Sequence, residues 1–223
     1  KLLDPDCEIH IQFKDGDKIR SGDTILEIKS DIESLLKGER VALNFLQRLS
    51  GIATLTRKFV ETLNYPKVRL TDTRKTTPGL RQLEKEAVRA GGAANHRMSL
   101  YDGVLIKDNH IAVAGSIKKA VDLVRKRASH LMKIEVEVST FDEVKEAVDA
   151  GVEVIMLDNM SYDLMSEAVN YIDGRAFVEA SGNVSLETLN KIAATGVDMI
   201  SCGALTHQAR SVDLSMRIDQ ETK

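Results

Sequence analysis

The chain has no tryptophan, three prolines and only two cysteines among its 223 residues. Cys7 and Cys202 lie far apart and match no metal-ligand spacing, so the sequence contains no cysteine metal site. No apolar run reaches the roughly 18 residues that a membrane-spanning helix needs, and we expect no signal peptide. These absences argue against a membrane protein and predict a reduced, cytoplasmic setting.

Strong charge of one sign is also missing, because the formal net charge is -3. This balance argues against a nucleic-acid partner. The charge is unevenly distributed, however: Lys and Arg outnumber Asp and Glu over 67–107, whereas acids dominate from residue 133 onwards. Two explanations stay open, namely two solvated faces of opposite sign, or an anion site early in the chain and a cation site later.

The N-terminal part is predicted to be a small α/β sandwich domain over 1–43, to which 210–223 returns. Alternating apolar residues from Ile9 onwards and a second run around 24–28 predict two strands. A long helix is predicted over 32–63, with Gly51 as a candidate interruption. The abrupt beginning of the sequence leads us to expect that this small domain is truncated at its N-terminus.

A catalytic domain is predicted over 44–209. After Pro66, short apolar runs alternate with amphipathic segments of about ten residues. The predicted strands are 68–71, 104–106, 134–138, 154–157, 176–180 and 199–202, and the predicted helices are 80–90, 116–127, 140–150, 162–171 and 186–194. This alternation indicates a parallel sheet, and it recurs too often for a small flavodoxin-like fold. We therefore predict an open or incomplete β/α barrel.

Cationic side chains follow the early predicted strands, at the edge where barrel active sites lie. They are Arg74, Lys75, Arg97 and Lys107, with His96 beside them. Any one of them alone would fit a surface ion pair. As a set without matching acids they would repel one another unless an anion binds between them. The sequence therefore predicts an anionic ligand.

Acidic and small residues follow the later predicted strands. Glu137 and Asp158 end neighbouring strands and are typical of a Mg²⁺ site, although an interior ion pair is the alternative. Glu135 points to the same face as Glu137, so one of the two is a candidate partner for a cation of the first group. The loops Ser181-Gly182-Asn183 and Gly203-Ala204 follow the last two strands, where barrels of this kind bind phosphate.

Long motifs then indicate a family. They are GERVALNFLQRLSGIAT (38–54), DTRKTTPGLRQLEKEAVRAGGAANHR (72–97), LIKDNH (105–110), IEVEV, MLDN, EASGNVS and GALTH. In this order, over nearly the whole chain, the sequence resembles quinolinate phosphoribosyltransferase, a decarboxylating family of NAD biosynthesis. The resemblance implies phosphoribosyl transfer from 5-phosphoribosyl 1-pyrophosphate to quinolinate. The products would be nicotinate mononucleotide, pyrophosphate and CO₂.

The resemblance also implies roles for individual residues. Quinolinate would be bound by Thr73, Arg74, Lys75, His96, Arg97 and Lys107. The phosphoribosyl group would be bound by Glu137, Asp158, Ser181, Gly182, Asn183, Gly203, Ala204 and His207. Glu137 and Asp158 would hold Mg²⁺, through water or through the substrate. The catalytic set would be Lys75, Lys107, Glu137 and Asp158, with either lysine as the proton donor to C2.

Arg40 resembles the family's arginine that reaches into the active site of the neighbouring subunit, which implies a homodimer with shared sites. A higher oligomer stays open. Asn183 stands where the family commonly has a second glycine, a mild departure because asparagine also tolerates positive φ.

Three other functions stay open at this level. The first is a phosphoribosyltransferase of similar fold that takes nicotinate, whose single carboxylate needs fewer cations. The second is a family paralogue associated with metal transport, which should lack part of the cationic set. The third is a non-catalytic phosphate-binding barrel or oligomeric scaffold, which leaves the cations and acids unexplained.

Overall fold

A computed structural model describes residues 1–219. The N-terminal part contains two antiparallel strands, β1 (Glu8–Ile11) and β2 (Leu26–Lys29), followed by the long helix α1 (Ile32–Thr62). Asp31 begins α1 by accepting a hydrogen bond from Ser34 N, the usual contact of an N-capping residue. The two strands and the long helix agree with the sequence prediction.

The rest of the chain alternates between strands and helices. The strands are β3 (Arg69–Thr71), β4 (Val104–Ile106), β5 (Ile134–Val138), β6 (Val154–Asp158), β7 (Phe177–Ser181) and β8 (Met199–Ser201). The helices are α2 (Arg81–Ala90), α3 (Asp108–Ala114), α4 (Ile117–Arg125), α5 (Phe141–Asp149), α6 (Tyr162–Ile172), α7 (Leu189–Ala193) and α8 (Ala204–His207). Every strand of this part begins and ends within one residue of its predicted position.

The six strands form one parallel sheet in the order β3-β8-β7-β6-β5-β4. An isolated parallel bridge between Thr71 and Ala94 extends the β3 edge. Among the described residues, no strand pairing joins this edge to β4. The sheet curves without closing its ladder, so the predicted open β/α barrel is confirmed.

Side chains alternate along each strand between a face that packs against the helices and a face that lines the inside of the barrel. Val136, Ile155 and Leu157 are fully buried among the apolar residues of the surrounding helices. Glu135 and Glu137 of β5 point to the opposite face, because successive strand residues alternate. The same period places Glu179 of β7 inside the barrel, so the polar residues of the strands share one enclosed space.

Gly51 does not interrupt α1, contrary to the sequence expectation. The helix is continuous from Ile32 to Thr62. A Cβ atom at Gly51 would lie 2.1 Å from the carbonyl oxygen of Arg210. Glycine is therefore required by close packing of the C-terminal segment on the helix, and a helix tolerates it at a cost of about 1 kcal/mol.

The C-terminal segment runs along α1. Val212 N donates to Gln47 O at 3.0 Å, and Gln47 Nε2 donates to Leu214 O at 2.7 Å. The predicted return of 210–223 to the small domain includes residues 220–223, which lie outside the described residues. The predicted domain limits stay a prediction.

The small sheet leaves apolar side chains uncovered within this chain. Ile9, Ile11 and Ile28 are 42%, 72% and 40% exposed. Among residues 1–219, none of the helices combines the length and the apolar character that crossing a bilayer requires.

Candidate active site

Two arginines meet at the carboxyl end of β3. Arg74 follows β3, and Arg97 follows the segment that bridges to it at Ala94. Burial and the positive charge of Arg74 lower the pKa of Arg97. Arg97 Nη1 donates to Gly103 O at 2.8 Å, whereas the buried Nε of Arg74 has no hydrogen-bond partner in the protein. Neither arginine forms a salt bridge with another residue of 1–219. The pair therefore has the charge and the geometry that could bind an anion, since Arg binds carboxylates and phosphates through paired N–H groups, and its predicted role in ligand binding stays a prediction.

A buried network holds the backbone of this site. The side chains of Asp72 and Lys85 are 0% and 1% exposed and lie 2.5 Å apart. Asp72 also accepts hydrogen bonds from Asn95 Nδ2 at 2.7 Å and from His96 N at 2.8 Å. Lys85 Nζ donates to His96 O at 3.0 Å. Because a buried charge needs a partner and further hydrogen bonds, this network fixes the 95–97 segment against β3 and α2.

Arg81 ties the loops together at the start of α2. Its guanidinium donates to Thr76 Oγ1 at 3.0 Å and to Met98 O at 3.3 Å. The loop after β3 is thereby joined to the loop that follows Arg97. Sequence reasoning assigned no role to Arg81, to Lys85 or to Asn95, because their function lies in contacts between distant segments.

His96 points into the barrel and contacts two acids. Its Nε2 lies 3.2 Å from Glu135 Oε2 and 3.5 Å from Glu179 Oε2. Burial lowers the pKa of His96, but the hydrogen bonds and charges of Glu135 and Glu179 outweigh burial and raise it to about 10. Burial also raises the pKa of Glu135, and the nearby Glu179 adds to this effect.

The other nitrogen of His96 is engaged as well. Arg97 N donates to Nδ1 at 2.8 Å, a contact that belongs to the neutral ring. Two charge-assisted hydrogen bonds to carboxylates are stronger than one contact with the adjacent peptide. We therefore assign the imidazolium form; its Nδ1 then carries a proton and cannot accept from Arg97 N, so that hydrogen bond is given up in this form. His96 thus faces the acids in this structure, and its predicted contact with a substrate stays a prediction.

Glu179 was missed by sequence reasoning. Its side chain is 1% exposed, and its Oε1 makes no hydrogen bond with the protein. A cavity of about 180 Å³ adjoins Glu179, Glu135, His96 and Arg97. The sequence could have indicated Glu179 as a site residue, because it lies two residues before Ser181 in β7 and therefore on the same face of the strand. The ligand atoms of His96, Glu135 and Glu179 are close enough to surround a metal ion, but metal binding requires the imidazole to be deprotonated.

Lys107 and Glu137 form an ion pair across β4 and β5. The side chain of Lys107 is 45% exposed and that of Glu137 is 15% exposed, so the pair lies at the mouth of the barrel. The expectation that the cations lack matching acids is therefore wrong for Lys107. The expectation that an acid of β5 pairs with a cation is confirmed, and it holds for Glu135 with His96 as well.

The helix after Lys107 is held by His110. Lys107 N donates to His110 Nδ1 at 2.9 Å, which is one half of a capping box at the start of α3. His110 therefore has a structural role.

Asp158 ends β6 beside the loop that follows β7. Asn159 Nδ2 donates to Asp158 Oδ2 at 2.7 Å, and Asn183 Nδ2 donates to Asn159 Oδ1 at 3.1 Å. Gly182 and Asn183 both have positive φ, 95° and 50°. The predicted phosphate loop and the predicted metal ligand are thus linked through the side chain of Asn159.

Lys75 crosses from the loop after β3 to the loop after β8. A Cβ atom on Gly203 would lie 3.0 Å from Lys75 Cδ and 3.1 Å from His207 Nε2. Thr206 Oγ1 donates to Lys75 O at 2.8 Å. Lys75, Gly203 and His207 therefore meet, and Ala204 lies in the same turn at the beginning of α8. Thr73 is placed beside Lys75, because its Oγ1 accepts from Lys75 N at 3.1 Å.

Arg40 lies on α1 with its side chain 69% exposed, and its guanidinium is 4.0 Å from Glu39. Within one chain this position gives it no role at the barrel mouth. Its predicted action on a neighbouring subunit stays a prediction.

The chain resembles known proteins over nearly its whole length. A family model described as quinolinate phosphoribosyl transferase, C-terminal domain, matches residues 52–217, and the model of the N-terminal domain matches residues 1–50. A protein of Bacillus subtilis named probable nicotinate-nucleotide pyrophosphorylase [carboxylating] is 48% identical over 217 residues, which are 97% of this chain and 75% of that protein. A protein of the same name from Synechocystis is 49% identical over 222 residues, 98% of this chain and 75% of that protein.

A solved structure shows the same similarity. The crystal structure of NadC from Streptococcus pyogenes is 48% identical, has a TM-score of 0.92, and is matched over 97% of this chain and 76% of that chain. This chain therefore spans about three quarters of these relatives.

Proposed function

The chain belongs to the quinolinate phosphoribosyltransferase family, and we propose that it transfers a phosphoribosyl group from 5-phosphoribosyl 1-pyrophosphate to quinolinate with loss of CO₂. The products are nicotinate mononucleotide, pyrophosphate and CO₂, in the synthesis of NAD. Arg74 and Arg97 carry this proposal: two neighbouring cations that form no salt bridge within residues 1–219 fit a ligand with two adjacent carboxylates.

Quinolinate binds between the loops after β3 and β4 in this proposal. Arg74 and Arg97 contact its carboxylates, with Thr73, Lys75 and Lys107 around the ring. Arg74 Nε is buried and unpartnered, and a buried donor without an acceptor costs about 1–3 kcal/mol. A bound carboxylate supplies the acceptor. His96 directly precedes Arg97, and its predicted contact with quinolinate requires its ring to turn towards the ligand on binding.

The phosphoribosyl group lies along the later strands. Ser181, Gly182 and Asn183 form one side of the 5′-phosphate cradle, and Gly203, Ala204 and His207 form the other. Backbone N–H groups bind a phosphate closely only where side chains leave room. Gly182 and Gly203 add no side chain of their own at these loops, although Asn159 lies close to Gly182, and Lys75 and His207 lie close to Gly203.

Transfer begins when the pyridine nitrogen attacks C1 of the ribose and pyrophosphate leaves. Positive charge develops on the ribose ring, where Glu137 and Asp158 stabilise it electrostatically. The nitrogen becomes a pyridinium once the new bond has formed. Electron density left at C2 by CO₂ loss is then stabilised by that positive charge, so decarboxylation follows transfer. Lys75 or Lys107 donates the proton to C2.

Mg²⁺ is the proposed cofactor. Asp158 is partly exposed at a strand end and offers hard oxygen ligands. Glu137 is already paired with Lys107, which favours a contact through water or substrate oxygens. When bound, the ion would neutralise charge on the pyrophosphate.

A homodimer is the proposed functional unit, and a higher oligomer is compatible with it. The exposed Ile9, Ile11 and Ile28 and the exposed Arg40 support a partner surface near the N-terminal part. The proposed setting is the cytoplasm, because both cysteines are free, which fits a reducing compartment. We propose no nucleic-acid or membrane partner.

The test is release of labelled CO₂ from quinolinate carrying the label in its C2 carboxylate. We expect release only when phosphoribosyl pyrophosphate and Mg²⁺ are both present. Nicotinate is the control substrate: formation of nicotinate mononucleotide from nicotinate, without CO₂ release from quinolinate, would contradict the proposal. Binding of phosphoribosyl pyrophosphate without turnover of either acid would instead favour a binding protein.

A further inference from the structure

Asn159 lies between two parts of the proposed site. Its backbone N–H donates to Ser181 O at 3.0 Å. Its side-chain Nδ2 donates to Asp158 Oδ2 at 2.7 Å, and its Oδ1 accepts from Asn183 Nδ2 at 3.1 Å. One amide therefore contacts both the carboxylate at the end of β6 and the loop after β7.

The backbone of both strand ends is shaped to permit these contacts. Asn159 and Asn183 have φ values of 53° and 50°, and Gly182 has a φ of 95°. Asparagine tolerates the left-handed region better than most residues do. A Cβ atom on Gly182 would lie only 2.2 Å from Asn159 Oδ1. The side chain of Asn159 therefore occupies space that the glycine leaves open.

We propose that Asn159 is a positioning residue for phosphoribosyl pyrophosphate, which holds the Asp158 carboxylate and the Gly182–Asn183 loop in one arrangement. This inference rests on the proposed function, because it assumes that Asp158 faces the ribose or its metal ion and that the loop binds the 5′-phosphate. Asn159 need not touch the ligand itself.

The chemistry of the side chain explains why an amide is needed. An amide donates through nitrogen and accepts through oxygen, so it joins a carboxylate to an amide donor. An ionised aspartate at this position would still accept from Asn183. It would not donate to Asp158, and it would place a second negative charge beside it. A glycine would keep the backbone conformation and lose both side-chain contacts.

The experiment compares Asn159→Gly and Asn159→Asp with the wild-type chain. Binding of phosphoribosyl pyrophosphate in the presence of Mg²⁺ is measured by titration calorimetry without quinolinate, so that no turnover occurs. We expect both variants to bind about tenfold more weakly, the effect of losing one or two hydrogen bonds. In steady-state assays KM for phosphoribosyl pyrophosphate should rise by a similar factor, while KM for quinolinate stays within about twofold.

Asp173→Gly is the matched control. Asp173 also has a left-handed backbone, with φ 43°, but it lies at the C-terminal cap of α6. We expect it to bind phosphoribosyl pyrophosphate as the wild type does. Wild-type affinity for phosphoribosyl pyrophosphate in Asn159→Gly or in Asn159→Asp would overturn the inference. An equal rise in KM for quinolinate, or an equal loss of affinity in Asp173→Gly, would overturn it as well.

The two proposals fail in different ways. Absence of CO₂ release by the wild-type chain would contradict the proposed function, while the binding comparison would still test Asn159. Normal CO₂ release by the wild type, together with unchanged ligand binding by both Asn159 variants, would overturn the positioning role alone.

Discussion

The Nε2 atom of His96 lies 3.5 Å from Oε2 of Glu179, a carboxylate almost entirely buried inside the barrel. Glu135 lies 3.2 Å from the same nitrogen. These acids favour a positive imidazole at His96, which directly precedes Arg97 in the chain. The buried negative charges of Glu135 and Glu179 thereby stabilise the cations of the proposed quinolinate site electrostatically. Without them, His96 and the two arginines would repel one another in a space of low dielectric.

Replacing Glu179 with glutamine should lower the pKa of His96. The substitution keeps the size of the side chain and removes one of the two charges that favour the imidazolium. In the wild type we expect the imidazole NMR signals to stay constant from pH 6 to about pH 9, because the pKa is about 10. In Glu179→Gln they should titrate at lower pH. Titration of the wild-type ring near its ordinary value of 6.5 would contradict the assignment.

The stability of the protein should depend on pH through His96. Its pKa is about 10 in the folded chain, above its ordinary value of 6.5. A raised folded pKa stabilises the protein fully below about pH 6.5, and this stabilisation is lost as pH rises towards 10. Denaturant unfolding of the wild type should therefore show a decline over this window that is smaller in His96→Gln. Parallel pH profiles would exclude the buried imidazolium.

Alanine should have opposite effects at two glycines of α1. At Gly51 its Cβ atom would lie 2.1 Å from Arg210 O, so we expect a loss of about 2–3 kcal/mol in the free energy of unfolding. At Gly38 the nearest atom would be Leu3 Cδ1, at 3.3 Å, on an exposed side chain that can move. There we expect no loss, or a gain of up to about 1 kcal/mol from helix propensity. Equal effects in denaturant unfolding would argue against packing of the C-terminal segment on Gly51.

Arg74→Ala should weaken quinolinate binding selectively. Removing a charged, bidentate partner of a carboxylate should raise KM for quinolinate by roughly 100-fold, with KM for phosphoribosyl pyrophosphate changed by less than about threefold. Arg89→Ala, on the exposed side of α2, is the matched control and should behave as the wild type. An equal increase in both KM values would show that Arg74 does not distinguish the two substrates.

Mixing inactive subunits tests the role of Arg40. Arg40→Ala and Arg74→Ala chains should each have little activity alone. If Arg40 acts on the neighbouring subunit, a mixed dimer contains one intact site, and random mixing should restore up to about a quarter of wild-type activity. The measurement is CO₂ release after joint refolding of the two variants. No recovery, with dimers formed normally, would place Arg40 outside the shared site.

Much of the fold follows from the sequence because it depends on local patterns. Alternation of apolar residues identified the strands and the polar face of β5, and the parallel order followed from the regular spacing of strands and helices. The polar residues at the mouth of the barrel could also be predicted, because the carboxyl ends of the strands of a barrel meet at one edge. Arg74, Lys107, Asp158 and Gly203 were therefore identified as candidates before any geometry was known.

Pairing inside the barrel was decided only by the tertiary structure. Glu179, Glu135 and His96 come from three distant segments, and their meeting depends on the register of β5, β6 and β7. The same applies to Lys107 with Glu137, and to Gly51 with the backbone of Arg210. A sequence determines which face a side chain takes, because that depends on its immediate neighbours. The distance between side chains of different strands depends on how the whole sheet curves, and no local sequence pattern specifies that curvature.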